Sequence, residues 1–283
     1  MIRRAQDGFR ARVSGPWTRA KLDYVERYAT AFMKAMGPKR RTGIWSELVY
    51  VDLLAGPGRG IDRDGSAEFD RSPLRALKIV PAFDRLFFSD LDRRNIDSLR
   101  RRIPSSQENR VSLRVGDCNA VVRDVIASLT RKTLGLALVD PEGFEAKFGV
   151  FESLARARLD VLFLFPSGIG VARNLRAFAR QEHSPMDDLW GGREWRELSP
   201  AKLAAGRPPT LDDAVSLDRP WILAFRHKLA QLGFLYQDEG DPCFRNERNV
   251  PMYHLLFFSK DIAGLRIWHG IKKIEPGGQR TLL

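Results

Sequence analysis

Four acidic residues close successive apolar runs in this sequence. They are Asp52 in "VYVDLLAGPGRG", Asp90 in "RLFFSDLD", Asp117 in "VSLRVGDCN" and Asp140 in "LGLALVDPEGF". Three glycines, Gly56, Gly58 and Gly60, follow the first acid. A carboxylate at a strand end can accept hydrogen bonds from a ligand's ammonium, hydroxyl or amino group. Glycines let the backbone approach that ligand without a side chain in the way. Each acid alone reads more readily as a helix cap or a turn residue. Four in successive strand-end positions point to a ligand.

Three ligand classes compete for the glycine loop. A triphosphate loop needs a Lys-Ser or Lys-Thr pair after its last glycine, and here Arg59 follows Gly58. A nicotinamide loop opens directly into a helix, whereas here a polar stretch runs on to Asp70. S-adenosylmethionine carries an ammonium and a sulfonium but no pyrophosphate, and it suits Asp52 with Gly56 and Gly58. On this reading Asp90 accepts from both ribose hydroxyls. Asp117 accepts from the adenine amino group, and the Cys118 backbone N–H meets a ring nitrogen. Asp140 then faces the methyl acceptor. The glycine-rich turn with no ligand is the competing structural reading.

The acceptor side resembles part of an amino-methylase pattern, in which a polar residue, two prolines and an aromatic follow the fourth strand. Asp140 and Pro141 fit it; Glu142 and Gly143 depart, and Phe144 comes one place late. The expected catalytic set is Asp140 to orient an amine, Pro141 in the turn, Glu142 as acceptor or general base, and Phe144 to stack on the acceptor. Equally, Asp140-Pro141 forms a turn and Phe144 is core. Arg173 and Asn174 follow the fifth strand as candidate substrate-binding residues. Trp190 and Trp195 read more readily as packing than as base-stacking residues. His183, His227, His254 and His269 show no metal-ligand spacing, so no metal is expected. The sequence holds two cysteines, Cys118 and Cys243, which argues against a disulfide scaffold and a cysteine zinc site.

The elements that must carry these residues follow from periodicity. Leu22, Val25, Tyr28, Ala29, Phe32, Met33 and Met36 predict an amphipathic helix from Trp17 to Met36, ended by Gly37-Pro38. Strands and helices then alternate five times, with Ser72 as N-cap and Pro73 opening one helix. The fold class expected is α/β: a Rossmann-like, doubly wound, mostly parallel sheet of the class I methyltransferase kind. Two late strands with no helix between them predict an antiparallel C-terminal pair. Residues 1–45 read as a basic tail plus the first helix, residues 46–283 as the α/β domain, and 183–220 as an insertion on the sheet's functional edge.

The 283 residues are 43% hydrophobic and 29% charged, ordinary for a chain with a sizeable core. No apolar run of membrane-spanning length and no secretory h-region occurs, so a cytoplasmic protein is expected. Net charge is +12. Residues 1–42 hold eleven Lys or Arg against three Asp or Glu, so about +8 of it lies there. Such a stretch suits a polyanion and predicts nucleic acid as partner.

Taken in order, "KLDYVERYATAF", "YVDLLAGPGRG", "RSPLRAL", "FFSDLD", "VGDCN", "ALVDPEGF", "DVLFLFPSGIGVARN" and "HLLFFSKDIAGLRIWHGI" resemble the bacterial three-Cys-motif partner proteins over residues 17–275. The resemblance implies an S-adenosylmethionine-dependent methyltransferase-like fold and a genomic neighbour with a three-cysteine motif. That family name describes gene context, not a substrate. Two functions lead, ahead of a small-molecule methylase or nucleotide-processing enzyme for which the +12 charge is incidental. One is methylation of a nucleic-acid base amino group by S-adenosylmethionine. The other is a non-catalytic nucleotide- or nucleic-acid-binding partner of the neighbouring three-Cys-motif enzyme.

Overall fold

The structure is a computed structural model. It describes residues 1–167, 173–198, 211–246, 249 and 251–273. The chain opens with β1 (Ile2–Arg4), β2 (Arg10–Ser14) and α1 (Trp17–Arg41). Then come β3 (Glu47–Asp52), β4 (Arg59–Asp62), β5 (Glu68–Asp70), α2 (Ser72–Leu77), β6 (Arg85–Asp90), α3 (Arg93–Arg100) and β7 (Val111–Val115). They are followed by α4 (Cys118–Ala127), β8 (Thr133–Val139), α5 (Phe148–Leu154), β9 (Arg158–Phe165), α6 (Arg173–Arg180) and α7 (Pro185–Trp190). The chain ends with α8 (Leu211–Gln231), β10 (Tyr236–Gln237), β11 (Cys243–Arg245), β12 (Pro251–Ser259) and α9 (Ile262–Lys272).

The main sheet runs β10-β12-β9-β8-β3-β6-β7, with β11 also paired to β12. Strands β7, β6, β3, β8 and β9 are mutually parallel. Strand β12 lies antiparallel to β9, β10 and β11, which completes the expected C-terminal antiparallel part. This is the doubly wound, mostly parallel α/β fold, and its order reverses between β3 and β8. In such sheets ligands sit beyond the carboxyl ends of the strands at that reversal.

Strand β3 is an unbroken apolar run because both of its faces are covered. Its side chains alternate between two cores. Val49 and Val51 pack with residues of α4, α5, α7 and α8; Leu48 and Tyr50 pack with residues of α1, α2, α3 and α9. The predicted stripe on α1, from Leu22 to Met36, is buried throughout.

Several boundaries differ from those the sequence suggested. Helix α1 does not stop at Gly37-Pro38 but runs to Arg41. Pro38 falls in the last turn, where it removes one N–H, and the Thr42 N–H still donates to its carbonyl at 3.1 Å. Ser72 is the first helical residue of α2 rather than its N-cap; Arg71 holds the cap position in an extended conformation. Helix α8 begins at Leu211, ahead of the expected Pro220, which lies inside it. The basic stretch before Trp17 is not a free tail. It forms β1 and β2 of a second sheet, ordered β1-β2-β4-β5, in which β2 runs parallel to β4. The described part of the 183–220 segment packs against α5 and α8, in the core on one side of the main sheet. Its Trp190 and Trp195 are fully buried there, and the Trp195 indole N–H donates to Asp187 at 2.7 Å. No helix among the described residues is long and apolar enough to cross a membrane.

Candidate functional site

All four acids stand at the same end of the main sheet. Asp52 ends β3 and Asp90 ends β6; Asp117 follows β7, and Asp140 follows β8. Their surroundings differ, and so does the chemistry open to each.

Asp90 lines a cleft of about 350 Å³ together with Leu54, Leu91, Asn95, Asp140 and Glu142. One of its oxygens, Oδ2, accepts the Gly56 N–H at 3.0 Å. The other, Oδ1, accepts the Asp92 N–H at 2.8 Å and the Asn95 amide at 3.1 Å. A carboxylate offers about four lone-pair sites, so about one remains for a ligand hydroxyl. Next to it Leu91 is 73% exposed, an apolar platform at the rim of the cleft. Both Gly56 and Gly58 hold a positive φ, +64° and +82°. A Cβ on Gly56 would meet no atom within 4 Å, whereas one on Gly58 would press on Leu99 and Leu74. The loop therefore keeps open space at Gly56 and uses Gly58 for packing.

Asp52 is fully buried and is absent from the lining of the cleft. Its Oδ1 accepts the Leu54 N–H at 3.2 Å, and its Oδ2 has no well-formed hydrogen bond. Burial pushes its carboxyl up to about 7, against the lowering influence of Ser72 and of the Leu54 N–H. Asp117 is the N-cap of α4, accepting the Asn119 N–H at 2.9 Å and the Asn119 side-chain amide at 2.6 Å. Cys118 is buried, and desolvation raises its thiol to about 12, so its side chain is a packing group.

The acceptor-side residues are already engaged. Lys21 donates to Asp140 Oδ2 at 2.5 Å, and the Arg71 guanidinium lies 3.9 Å from the same oxygen. The Lys21 side chain is 2% exposed, and burial pulls its ammonium down against the opposing pull of Asp140. Glu142 pairs with Arg12 but keeps its side chain 60% exposed. The Tyr253 hydroxyl donates to the Glu142 carbonyl at 2.9 Å. Pro141 is buried in the turn between them. Phe144 stands edge-on to Phe178 with centroids 5.3 Å apart, packed against the core. Helix α6 starts at Arg173, whose side chain lies outside the described residues; Asn174 is exposed on that helix.

Three contributors were not singled out in the sequence: Arg12, Lys21 and Arg71. Strand β2 spans the carboxyl ends of the main sheet and turns one face onto the site. Its alternate residues meet successive partners there. Arg10 pairs with Asp92 at 3.0 Å, Arg12 pairs with Glu142, and Ser14 accepts from Arg71 at 2.9 Å. A second cavity of about 210 Å³ opens beneath β2, walled by Lys21, Arg63, Arg71, Trp17 and Tyr253. The two cavities share Arg12, Asp140 and Glu142. The arrangement thus offers a polar cleft over the sheet reversal and a cationic chamber beside it, with Glu142 between them.

No family model matches the chain, and no curated protein matches it. Among solved structures it is similar to protein LPL1258 from Legionella pneumophila at 11% identity, covering 93% of this chain and 94% of that one, with a TM-score of 0.49. It is also similar to WbdD, described as a bifunctional kinase-methyltransferase, at 14% identity and a TM-score of 0.43; the match covers 85% of this chain and 40% of WbdD. A third is the methyltransferase domain of a bacterial Hen1, at 11% identity and a TM-score of 0.36, covering 82% of this chain and 99% of that domain.

Proposed function

We propose that the chain is an S-adenosylmethionine-dependent methyltransferase acting on a nucleic-acid base amino group. The observation that carries this reading is the pair of cavities meeting at Arg12, Asp140 and Glu142. Methyl transfer needs a donor site and an acceptor site opening on one point. The residues of the cleft suit the cofactor: a hydroxyl acceptor in Asp90 and an apolar surface in Leu91, with the Asp90 carboxylate anchored behind them on the Gly56 N–H. Bound there, the cofactor supplies a methyl group activated on sulfonium.

The remaining work falls to this chain's own side chains. Glu142, mostly exposed, takes the proton that the acceptor nitrogen loses on methylation. Asp140 is held by Lys21 and acts as a positioning residue, fixing the turn that carries Pro141 and Glu142. Arg12 pairs with Glu142 and orients its side chain until the acceptor enters. The resemblance to three-Cys-motif partner proteins and the +12 charge support a nucleic-acid substrate and an association with a neighbouring three-Cys-motif protein.

The test is transfer of a labelled methyl group from S-adenosylmethionine to RNA or DNA, wild type beside Glu142→Gln. Label entering the wild-type reaction, reduced about a hundredfold in the variant, supports the reading. Cofactor binding without label in any nucleic acid would overturn it. It would favour the second reading, a non-catalytic nucleotide-binding partner. The observation behind that alternative is the buried Lys21–Asp140 pair, which occupies the carboxylate that an acceptor amine would otherwise use.

A further inference from the structure

We infer that the chamber beneath β2 is a phosphate site, which receives a phosphate of a nucleotide acceptor beside Glu142. Four cations line the chamber: Arg12, Lys21, Arg63 and Arg71. Only two carboxylates, Asp140 and Glu142, line it with them. Lys21 is matched to Asp140 and Arg12 to Glu142, so the surplus charge belongs to Arg63 and Arg71. Arg63 has no ion-pair or hydrogen-bond partner among the described residues. Arg71, with an 11%-exposed side chain, donates to Ser14 and has no closer carboxylate than an Asp140 oxygen at 3.9 Å, with Glu142 and Asp52 acting on it at longer range.

The buried Arg71 guanidinium, this short of acceptors and facing further cations, is costly to hold unless an anion joins it. Arg12 adds to the shortage, because its Nε is buried with no partner. Planar N–H forks suit a phosphate's oxygens better than a single carboxylate does. The chamber is also far larger than the roughly 30 Å³ one water fills. Its other wall is aromatic, with the Trp17 and Tyr253 rings 5.1 Å apart, a surface that fits the sugar or base carried by the phosphate. The anion site stands on these contacts; its role in seating an acceptor rests on the methyltransferase reading.

The experiment is calorimetric titration of the full chain with nucleoside 5′-monophosphates, the matching nucleosides and inorganic phosphate. Arg63→Gln is the principal variant, since Arg63 is exposed and its loss threatens no packing. S-adenosylhomocysteine is titrated in parallel. Monophosphate binding that is at least about tenfold tighter than nucleoside binding, competed by inorganic phosphate, weakened about tenfold by Arg63→Gln and only partly restored by Arg63→Lys, is the expected result. Equal affinity for nucleoside and monophosphate, or an unchanged affinity in Arg63→Gln, would overturn the site. Phosphate-dependent binding with no S-adenosylhomocysteine binding would keep the site and remove the methyltransferase reading.

Discussion

Two glycines two residues apart in the same loop should respond differently to a single added methyl. In Gly58→Ala the new Cβ would lie 2.8 Å from Leu99 Cδ1 and 3.1 Å from Leu74 Cγ. Both leucines are buried, so neither can withdraw freely. Overpacking of this kind costs about 1–3 kcal/mol, and a left-handed alanine adds about 1–2 kcal/mol. The total is about 2–5 kcal/mol, which lowers Tm by roughly 4–20 °C at about 2–4 °C per kcal/mol. Gly56→Ala carries only the backbone cost, because its Cβ meets nothing within 4 Å. It should lower Tm by less, roughly 2–8 °C. Its methyl, however, enters space the loop keeps clear beside Asp90. S-adenosylhomocysteine affinity should therefore fall at least about tenfold in Gly56→Ala, a loss of about 1.4 kcal/mol. Thermal melts and calorimetric titrations of both variants read the two effects. Equal destabilisation, or unimpaired binding in Gly56→Ala, would refute the division of labour.

Three further outcomes follow from buried contacts. Asp52 keeps its proton in the folded chain up to about pH 7, while the unfolded chain releases it near the ordinary value of 3.8. Its contribution is complete below about pH 4 and is lost as pH rises to about 7, on the order of 4 kcal/mol in all. Urea unfolding of wild type and Asp52→Asn across that window should therefore diverge in slope, and parallel curves would contradict the burial argument. Lys21→Met leaves the Asp140 carboxylate with only the distant Arg71, and should cost about 3–5 kcal/mol. Adding Asp140→Asn should recover part of that loss in denaturant melts; no recovery would mean that the pair is not the cause. Arg102, its side chain 4% exposed, donates to both Asp7 oxygens at 2.8 Å, to the Arg10 carbonyl at 2.7 Å and to the Pro57 carbonyl at 2.6 Å. Arg102→Ala should release β1 and β2 from the glycine loop, seen as faster proteolysis before residue 16; unchanged cleavage would show that the small sheet holds itself.

The main sheet was legible because its signals are local. Runs such as "LVYVD" and "LDVLFLF" are long, apolar and bounded by acids or prolines, and each became one strand. The small second sheet was not legible. Strand β2 reads "RARVS", an alternation of only two small apolar residues, Ala11 and Val13, too short to stand out, and its partner β4 lies beyond α1 and β3. Pairing across that separation leaves no mark in a local window. The same gap hid Arg12, which reaches the site only because β2 crosses it. Lys21 did leave a mark. It stands four residues before Val25 and seven before Tyr28, on the buried stripe of α1, where a lysine requires a partner. Arg71 gave no such sign, since a cation before "SPLRAL" is ordinary. The acids were found in the expected places, but sequence could not separate their surroundings. Asp117 accepts its neighbours as a helix cap, and Asp52 is sealed beneath the loop.

The central claim is that the cleft beside Asp90 takes S-adenosylmethionine. Calorimetric titration of the purified chain with S-adenosylhomocysteine, wild type beside Asp90→Ala, tests it most directly. The account predicts micromolar binding by the wild type and its loss in the variant, with the fold kept by circular dichroism. Absent binding in the wild type, or equal binding in both, would contradict it.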